Sequence, residues 1–216
     1  MEHATRTYLP AAGHDWALPL YDPLVKLLGG DMARRTLLAQ AALRPDHRVL
    51  DVGCGTGTLA VLIKRLHPGV EVTGLDPDPK ALARAARKAQ HAGVPVRFEQ
   101  GSADALPYAG ASFDRVFSSY MFHHLRADQR EAALREIRRV LKPGACLHLL
   151  DFERQDAPAG WLARHINFNH HFECNSEEHI VALLRQAGFA SPRRVQRGAM
   201  LFGLLPMGYY EASAPA

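Results

Sequence analysis

Val49-Leu50-Asp51-Val52-Gly53-Cys54-Gly55-Thr56-Gly57 is the stretch on which the fold turns. The run from His47 to Val52, apolar at Val49, Leu50 and Val52, reads as a strand. It breaks into glycines at 53, 55 and 57, and Leu59, Leu62, Ile63 and Leu66 then recur at helical spacing. A strand, a glycine-rich turn and a helix in that order bring a ligand against bare backbone and the amino end of a helix. The glycines follow Gly-x-Gly-x-Gly. The Gly-x-Gly-x-x-Gly of dinucleotide sites needs a glycine at 58, where Thr58 stands. Asp51, just ahead of the turn, also disfavours a pyrophosphate, because like charges would meet there. A ligand with a cationic group is favoured, the more so as the site loses water.

Working outward, Val70 to Leu75 predicts a second strand ending at Asp76. That carboxylate stands 19 residues beyond Gly57, a place suited to accepting hydrogen bonds from ribose hydroxyls. Asp78-Pro79 opens a helix, with Asp as N-cap and Pro in the first position, and Leu82, Ala85, Ala86 and Ala89 as its inner stripe. Val94 to Phe98, Ser112 to Ser119 and Ala145 to Leu150 read as further strands. Asp128 and Glu131 have capping-box spacing for a helix with Leu134, Ile137 and Leu141 inward. Asn175 and Glu178 have it for one carrying Ile180, Leu183, Leu184 and Ala187. Two last strands are expected at Ser191 to Arg197 and Ala199 to Met207, with Gly198 between them and a frayed tail from Glu211 to Ala216. Asp22-Pro23 and Asp31 each start a short helix before the pattern begins. The alternation predicts an α/β fold, a mostly parallel sheet with helices on both faces.

The 216 residues, 47% hydrophobic and 22% charged, suffice for one sizeable domain with a full core. A net charge of +4 is too small to imply nucleic acid. Arg84, Arg87, Arg130, Arg135, Arg138 and Arg139 read as solvated helix faces. No stretch approaches the roughly 20 apolar residues of a membrane span, and Met1 to Pro10 carries no apolar leader core. A soluble cytoplasmic protein is expected. Cys54, Cys146 and Cys174 lack zinc or disulfide spacing and fit a reducing compartment. His165 to Cys174 mixes imidazole, carboxylate and thiol without a standard zinc pattern. It reads as a substrate-side lid, and no metal is expected.

Four blocks stand in order: residues 49–57, Gly74-Leu75-Asp76, Gly101-Ser102-Ala103-Asp104-Ala105-Leu106-Pro107, and Arg139-Val140-Leu141-Lys142-Pro143-Gly144. Together they resemble the class I S-adenosylmethionine (SAM)-dependent methyltransferases, in the small-molecule branch with the ubiquinone/menaquinone-biosynthesis enzymes. Phe113-Asp114 and Ser118 to Leu125 fall where that family's fourth motif belongs. The resemblance covers residues 45–151 well and the C-terminal segment more loosely. It implies a Rossmann-like seven-stranded sheet in order 3-2-1-4-5-7-6, strand 7 antiparallel, in one domain spanning 1–216. Within it, 1–44 would be an N-terminal helical lid segment, 45–151 the cofactor-binding core, and 152–216 substrate-side helices and final strands. SAM would be the cofactor and S-adenosylhomocysteine the product. Asp51 would hold the methionine ammonium. Gly53, Cys54, Gly55, Gly57 and Pro77 would line the cofactor, and Asp76 would bind ribose. Asp104 would accept from the adenine amino group, with Ala103 and Ala105 beside the ring. Ser118 and Ser119 would sit under the sulfonium.

Methyl transfer is an in-line displacement that needs mainly alignment. A base is required only for an acceptor that arrives protonated with a high pKa. His123, at the lip of the sheet, is the candidate base. His124, Tyr21 and Phe168 are candidate acceptor contacts, and Met121, Phe122 and Phe172 hint at an apolar acceptor pocket. The expected partner is a small-molecule acceptor, not nucleic acid. The apolar last strand either pairs across a homodimer or is buried within the sheet. Three alternatives stay open: an RNA or protein methyltransferase, a non-catalytic SAM-binding protein, and a nicotinamide oxidoreductase. The first is disfavoured by Ser118-Ser119-Tyr120-Met121 standing where amino-group methylases of adenine or glutamine carry Asn-Pro-Pro-Tyr.

Overall fold

The computed structural model describes residues 29–153, 176–203 and 205–216. Seven strands form one sheet: β1 Arg48–Val52, β2 Glu71–Asp76, β3 Arg97–Gln100, β4 Phe113–Ser119, β5 Leu141–Phe152, β6 Ala190–Met200 and β7 Leu205–Ser213. The helices are α1 Gly30–Ala39, α2 Thr58–Leu66, α3 Pro79–His91, α4 Ala127–Val140 and α5 Glu177–Gln186. The strand order is β3-β2-β1-β4-β5-β7-β6, as the resemblance implies. The first five strands pair in parallel, and β7 runs antiparallel to both β5 and β6.

Side chains alternate across the sheet, so a strand buried on both faces is apolar at nearly every position. Val49, Phe117, Leu150 and Tyr209 pack on one face with Leu37 and Leu38 of α1 and Leu59 and Ile63 of α2. Leu50, Val116, Leu149 and Tyr210 pack on the other with Leu134 and Ile137 of α4 and Ile180 and Leu184 of α5.

Several local expectations shift. Asp78 caps α3, accepting from the Lys80 N–H at 2.8 Å, but the buried stripe is Ala81, Ala85 and Ala89, with Ala86 exposed. α4 starts earlier than the Asp128–Glu131 spacing indicated. Arg126 is its N-cap, and the Arg126 N–H donates to Gln129 Oε1 at 3.1 Å. Asp128 lies instead in the first turn, where a negative charge suits the helix dipole. The cap of α5 is Ser176, whose Oγ accepts from the His179 N–H at 3.3 Å; Asn175 lies outside the described residues, as do Asp22 and Pro23. Asp31 falls inside the first turn of α1, which Gly29 caps. Arg130 is no part of a solvated face. It is buried and donates to the carbonyls of Phe122 and Leu125 at 3.2 and 2.9 Å.

The C-terminal strands differ most from the expectation. Gly198 is mid-strand, paired with Met207. A Cβ there would come within 3.0 Å of the Tyr209 ring, so that glycine serves close packing and not a turn. The chain reverses at Leu201–Gly203, where Gly203 has φ +94°. β7 is therefore interior, flanked by β5 and β6, which removes the route to a homodimer through its edge. The tail is not frayed either. Glu211, Ala212 and Ser213 pair with His148, Leu147 and Cys146, and the Ala214 N–H donates to Ala145 O at 2.8 Å. Deleting residues 211–216 removes about four or five ladder and turn hydrogen bonds, worth roughly 1 kcal/mol each. At about 2–4 °C per kcal/mol for a chain of this size, the melting temperature should fall by about 10 °C, measurable by calorimetry.

Candidate cofactor and acceptor site

β1 pairs with β2 on one side and β4 on the other. Such a switch in strand order leaves a crevice at the carboxyl ends of the two strands. A cavity of about 410 Å³ occupies it, and every lining residue lies between 53 and 129 except Arg34 of α1.

The glycine turn forms one wall. The Gly53 and Cys54 N–H groups both donate to Leu75 O, at 2.8 and 3.0 Å, tying the turn to β2. Gly53 has φ +70°, and a Cβ on it would lie 2.2 Å from Met121 Cγ. Only glycine lets the residues after β4 close so tightly on bare backbone. The Gly55 N–H donates to Asp76 Oδ2 at 2.8 Å, and the Asp78 N–H to Oδ1 at 2.9 Å. Asp76 is thereby fixed at the wall while each oxygen keeps a lone pair. Burial raises its pKa, against these two N–H groups and with help from the Asp78 charge. Lys88 of α3 braces the turn through Thr58 Oγ1 at 2.6 Å and Thr56 Oγ1 at 3.1 Å.

Asp51 lies behind this wall, fully buried, and among the described residues neither carboxylate oxygen has a hydrogen-bond partner. Burial pushes its pKa up to about 7. The Arg34 charge and the nearby Ala60 N–H pull it down, and the Asp76 charge adds to the rise. Burial and the charges of Asp51 and Asp76 likewise hold the Cys54 thiol well above its usual pKa. The thiol stays protonated and is a poor nucleophile or metal ligand.

Of the residues expected from sequence, Gly53, Cys54, Gly55, Asp76, Pro77, Ala103, Ser119 and His124 line the cavity. Asp51, Gly57, Asp104, Ala105, Ser118 and His123 are not among the lining residues. Gly57 serves packing, since a Cβ there would approach Ala85 Cβ to 2.7 Å. Asp104 accepts from the Ser102 hydroxyl, Ala105 is exposed, and the Ser118 hydroxyl is buried without a hydrogen-bond partner among the described residues. Phe122 belongs to the core, while Met121 lines the cavity. Tyr21, Phe168 and Phe172 lie outside the described residues, as does the stretch from His165 to Cys174. Among the described residues no cluster of three or more His, Cys, Asp or Glu could hold a metal.

His123 is held by Asp151 at the end of β5. Its Nδ1 is 2.6 Å from Asp151 Oδ1, and its N–H donates to Oδ2 at 2.9 Å. Asp151 is fully buried, and its Oδ1 also accepts from the Phe152 N–H at 2.7 Å. The carboxylate at Nδ1 fixes the orientation of the ring. The His124 ring lies against it, centroids 4.1 Å apart. Asp151, Arg34 and Tyr120 escaped the sequence reading. The first was visible only as a polar residue ending a strand, and the other two carry no local motif.

Asp51 gives a pH signature. An aspartate with an unfolded pKa near 3.8 and a folded one of about 7 binds its proton more tightly when folded. Its contribution to stability is full below pH 3.8 and is lost as pH rises through 7. Between pH 5 and 8 the ligand-free protein should lose on the order of 2–3 kcal/mol relative to Asp51→Asn. Denaturant titrations at the two pH values check this; parallel curves for both proteins would reject it.

A family model described as "Methyltransferase domain" matches residues 49–144. The chain is 43% identical over 137 residues to a demethylmenaquinone methyltransferase of Thermus thermophilus, covering 62% of this chain and 61% of that protein. It thus spans about three-fifths of that relative's length. It is 34% identical over 151 residues to an uncharacterized methyltransferase of Synechocystis sp., covering 69% and 67%. The crystal structure of a SAM-dependent methyltransferase from Aquifex aeolicus matches with TM-score 0.66 at 23% identity, covering 84% of this chain and 89% of that one; this likeness shows the fold alone. With the four motif blocks, the sheet order and these relatives agreeing, the chain belongs to the class I SAM-dependent methyltransferase family.

Proposed function

We propose that the protein transfers a methyl group from SAM to a small-molecule acceptor. The observation that carries this reading is Asp51: a fully buried carboxylate behind the glycine turn, both of whose oxygens are without a hydrogen-bond partner among the described residues. An anionic charge in that position favours a cationic ligand group and repels a pyrophosphate. The other residues fit the same cofactor. Asp76 stands fixed with a free lone pair on each oxygen, suited to ribose hydroxyls. Ala103 offers an apolar wall to a base, and the 410 Å³ cavity is of the size that small-molecule sites have.

When bound, SAM supplies an activated methyl carbon on a sulfonium. The chain's task is to hold the acceptor in line with it and to keep water out, which by itself supplies much of the rate. Met121 and Leu125 give the acceptor an apolar surface, and His124 stands at the wall beside them. Where the acceptor arrives protonated, the base we assign is His123, which Asp151 orients and whose ring lies against the cavity-lining His124. The name of the Thermus relative makes quinol precursors the first acceptors to try, followed by phenols, thiols and amines. Among the described residues no helix is long and apolar enough to cross a membrane. We place the protein in the cytoplasm, where free thiols such as Cys54 and Cys146 persist.

Release of S-adenosylhomocysteine in an acceptor screen tests the reaction; no turnover with any class of acceptor despite SAM binding would point to a silent binder. With a phenolic acceptor, His123→Ala should lower kcat by about 100-fold while SAM affinity by calorimetry stays unchanged. Asp76→Asn should instead weaken SAM by roughly 10-fold or more. Undiminished kcat in the first variant removes His123 as the base, and undiminished affinity in the second removes Asp76 from ribose.

A further inference from the structure

The block at residues 139–144 supplies nothing to the cavity wall. It is tied instead to the block at residues 101–107, which gives that wall Ser102 and Ala103. Glu136 and Arg139 stand one turn apart on α4 and meet side by side. Arg139 Nε donates to Glu136 Oε1 and Nη2 to Oε2, both at 2.7 Å. The pair then grips one loop residue on both sides of its backbone. The Leu106 N–H donates to Glu136 Oε2 at 2.9 Å, and Leu106 O accepts from Arg139 Nη2 at 3.0 Å. Arg139 Nη1 also donates to Tyr108 O at 2.7 Å, and the Arg139 carbonyl accepts from the Ala111 N–H at 3.0 Å.

A segment without a ladder still has to satisfy its backbone groups. Within residues 101–111 the chain pairs with itself through Ser102 and Ala105. At Leu106 the ion pair takes the place of a neighbouring strand, offering an acceptor to the N–H and a donor to the carbonyl. Four of the five N–H donors of the Arg139 fork are used in this way. The Arg139 guanidinium holds the Glu136 carboxyl below its usual pKa, against the effect of burial and with help from the Leu106 N–H, so the pair is ionised at neutral pH. The Leu106 side chain packs with Leu134 and Ile137 of the same helix. Nearer its amino end α4 also places Gln129 at the wall. One rigid element thus sets the loop on one side of the cavity and a side chain on another.

We propose that Glu136 and Arg139 are positioning residues for the base of the cofactor: acting as one unit, they hold residues 101–111 so that Ser102 and Ala103 present a fixed wall to adenine. Neither residue lines the cavity; both act through the loop backbone. The proposal rests on the SAM reading and extends it to residues away from the ligand.

The test reads the base and the loop separately. Calorimetry compares S-adenosylhomocysteine with S-inosylhomocysteine, which carries an oxygen in place of the 6-amino group. Wild type should bind the inosine compound on the order of 10- to 100-fold more weakly. Arg139→Gln should bind S-adenosylhomocysteine about 10-fold more weakly and discriminate between the two compounds by no more than about 3-fold. Glu136→Gln carries the same expectation, and the double variant should lose little more than either single one, because each removes the same brace. Arg139→Lys should recover part of the discrimination, since a point charge keeps one contact but lacks the fork. In the ligand-free protein, amide hydrogen exchange of residues 101–111 should quicken by about 10-fold or more in Arg139→Gln, with β1 and β4 exchanging as in wild type. Undiminished discrimination in both single variants overturns the proposal, as do additive losses in the double variant or exchange that quickens throughout the sheet. Equal binding of the two compounds by wild type overturns it too, and leaves the SAM reading intact. Failure of wild type to bind either compound sinks the SAM reading and the proposal together.

Discussion

A carboxylate taken out of water in the middle of β1 sets the terms for the rest of the site. Asp51 pairs with Gly74 on one side and Phe117 on the other, so the strand leaves it no room to turn outward. Alternation puts it on the same face as Val49, which packs with Leu37 and Leu38 of α1 and Leu59 of α2. That is the face from which Arg34 approaches. Two opposite charges are thus buried on one side of the sheet without closing into a direct pair. An isolated buried charge costs several kcal/mol. The fold carries that cost because core packing on both faces of the sheet outweighs it.

A second cost lies beside the first. Tyr120 has φ +56°, a left-handed conformation worth about 1–2 kcal/mol against a residue with a Cβ. The surroundings hold it there. Its N–H donates to Leu150 O at 2.9 Å, and its hydroxyl reaches Met207 Sδ at 3.4 Å. The abrupt turn after β4 puts the Tyr120 ring under Arg34 and drives Met121 onto Gly53. Backbone strain, a buried cation whose one described ion pair is a long one to Asp31, and a buried anion therefore converge at the carboxyl edge of β1 and β4. Costs of three kinds gathered at one cavity mark that place as the one shaped for a ligand.

The sequence disclosed the parts of this design that are local. Gly53, Gly55 and Asp76 are legible because a backbone turn with positive φ demands glycine, and because a strand end fixes what faces the crevice. The strand order followed from motif blocks that resemble a known family. Boundaries slipped where two local signals competed: Asp128 and Arg126 for the start of α4, Gly198 and Gly203 for the last reversal. In each case a residue that fitted a turn or cap was needed for packing or for the dipole, and only the tertiary partner tells which. Arg34 and Asp151 were invisible for a plainer reason. Arg34 works through a contact with Tyr120, 86 positions away, and Asp151 through one with His123, 28 positions away. No spacing rule links residues on different elements.

The charges around the cavity discriminate between the ligand classes left open by sequence. Asp76 and Asp78 stand on the wall, with Asp51 behind it; Arg34 and Arg126 are the cations among the lining residues. Arg126 is largely exposed and already paired with Asp128 at 2.9 Å, so its field is screened and largely committed. What remains is one buried cation among three carboxylates, one of which, Asp78, caps α3. A dinucleotide would bring two further negative charges into this set, and the amino end of α2, with roughly half a positive charge, cannot offset them. A ligand whose amino-acid end is a zwitterion and whose centre is a sulfonium brings a positive charge toward the carboxylates and a single negative one for Arg34. The same balance predicts a preference among cofactor forms: the sulfonium carries one more positive charge than the thioether product, so departure of the methyl group leaves the carboxylates less well matched. Electrostatics would then favour exchange of product for fresh donor.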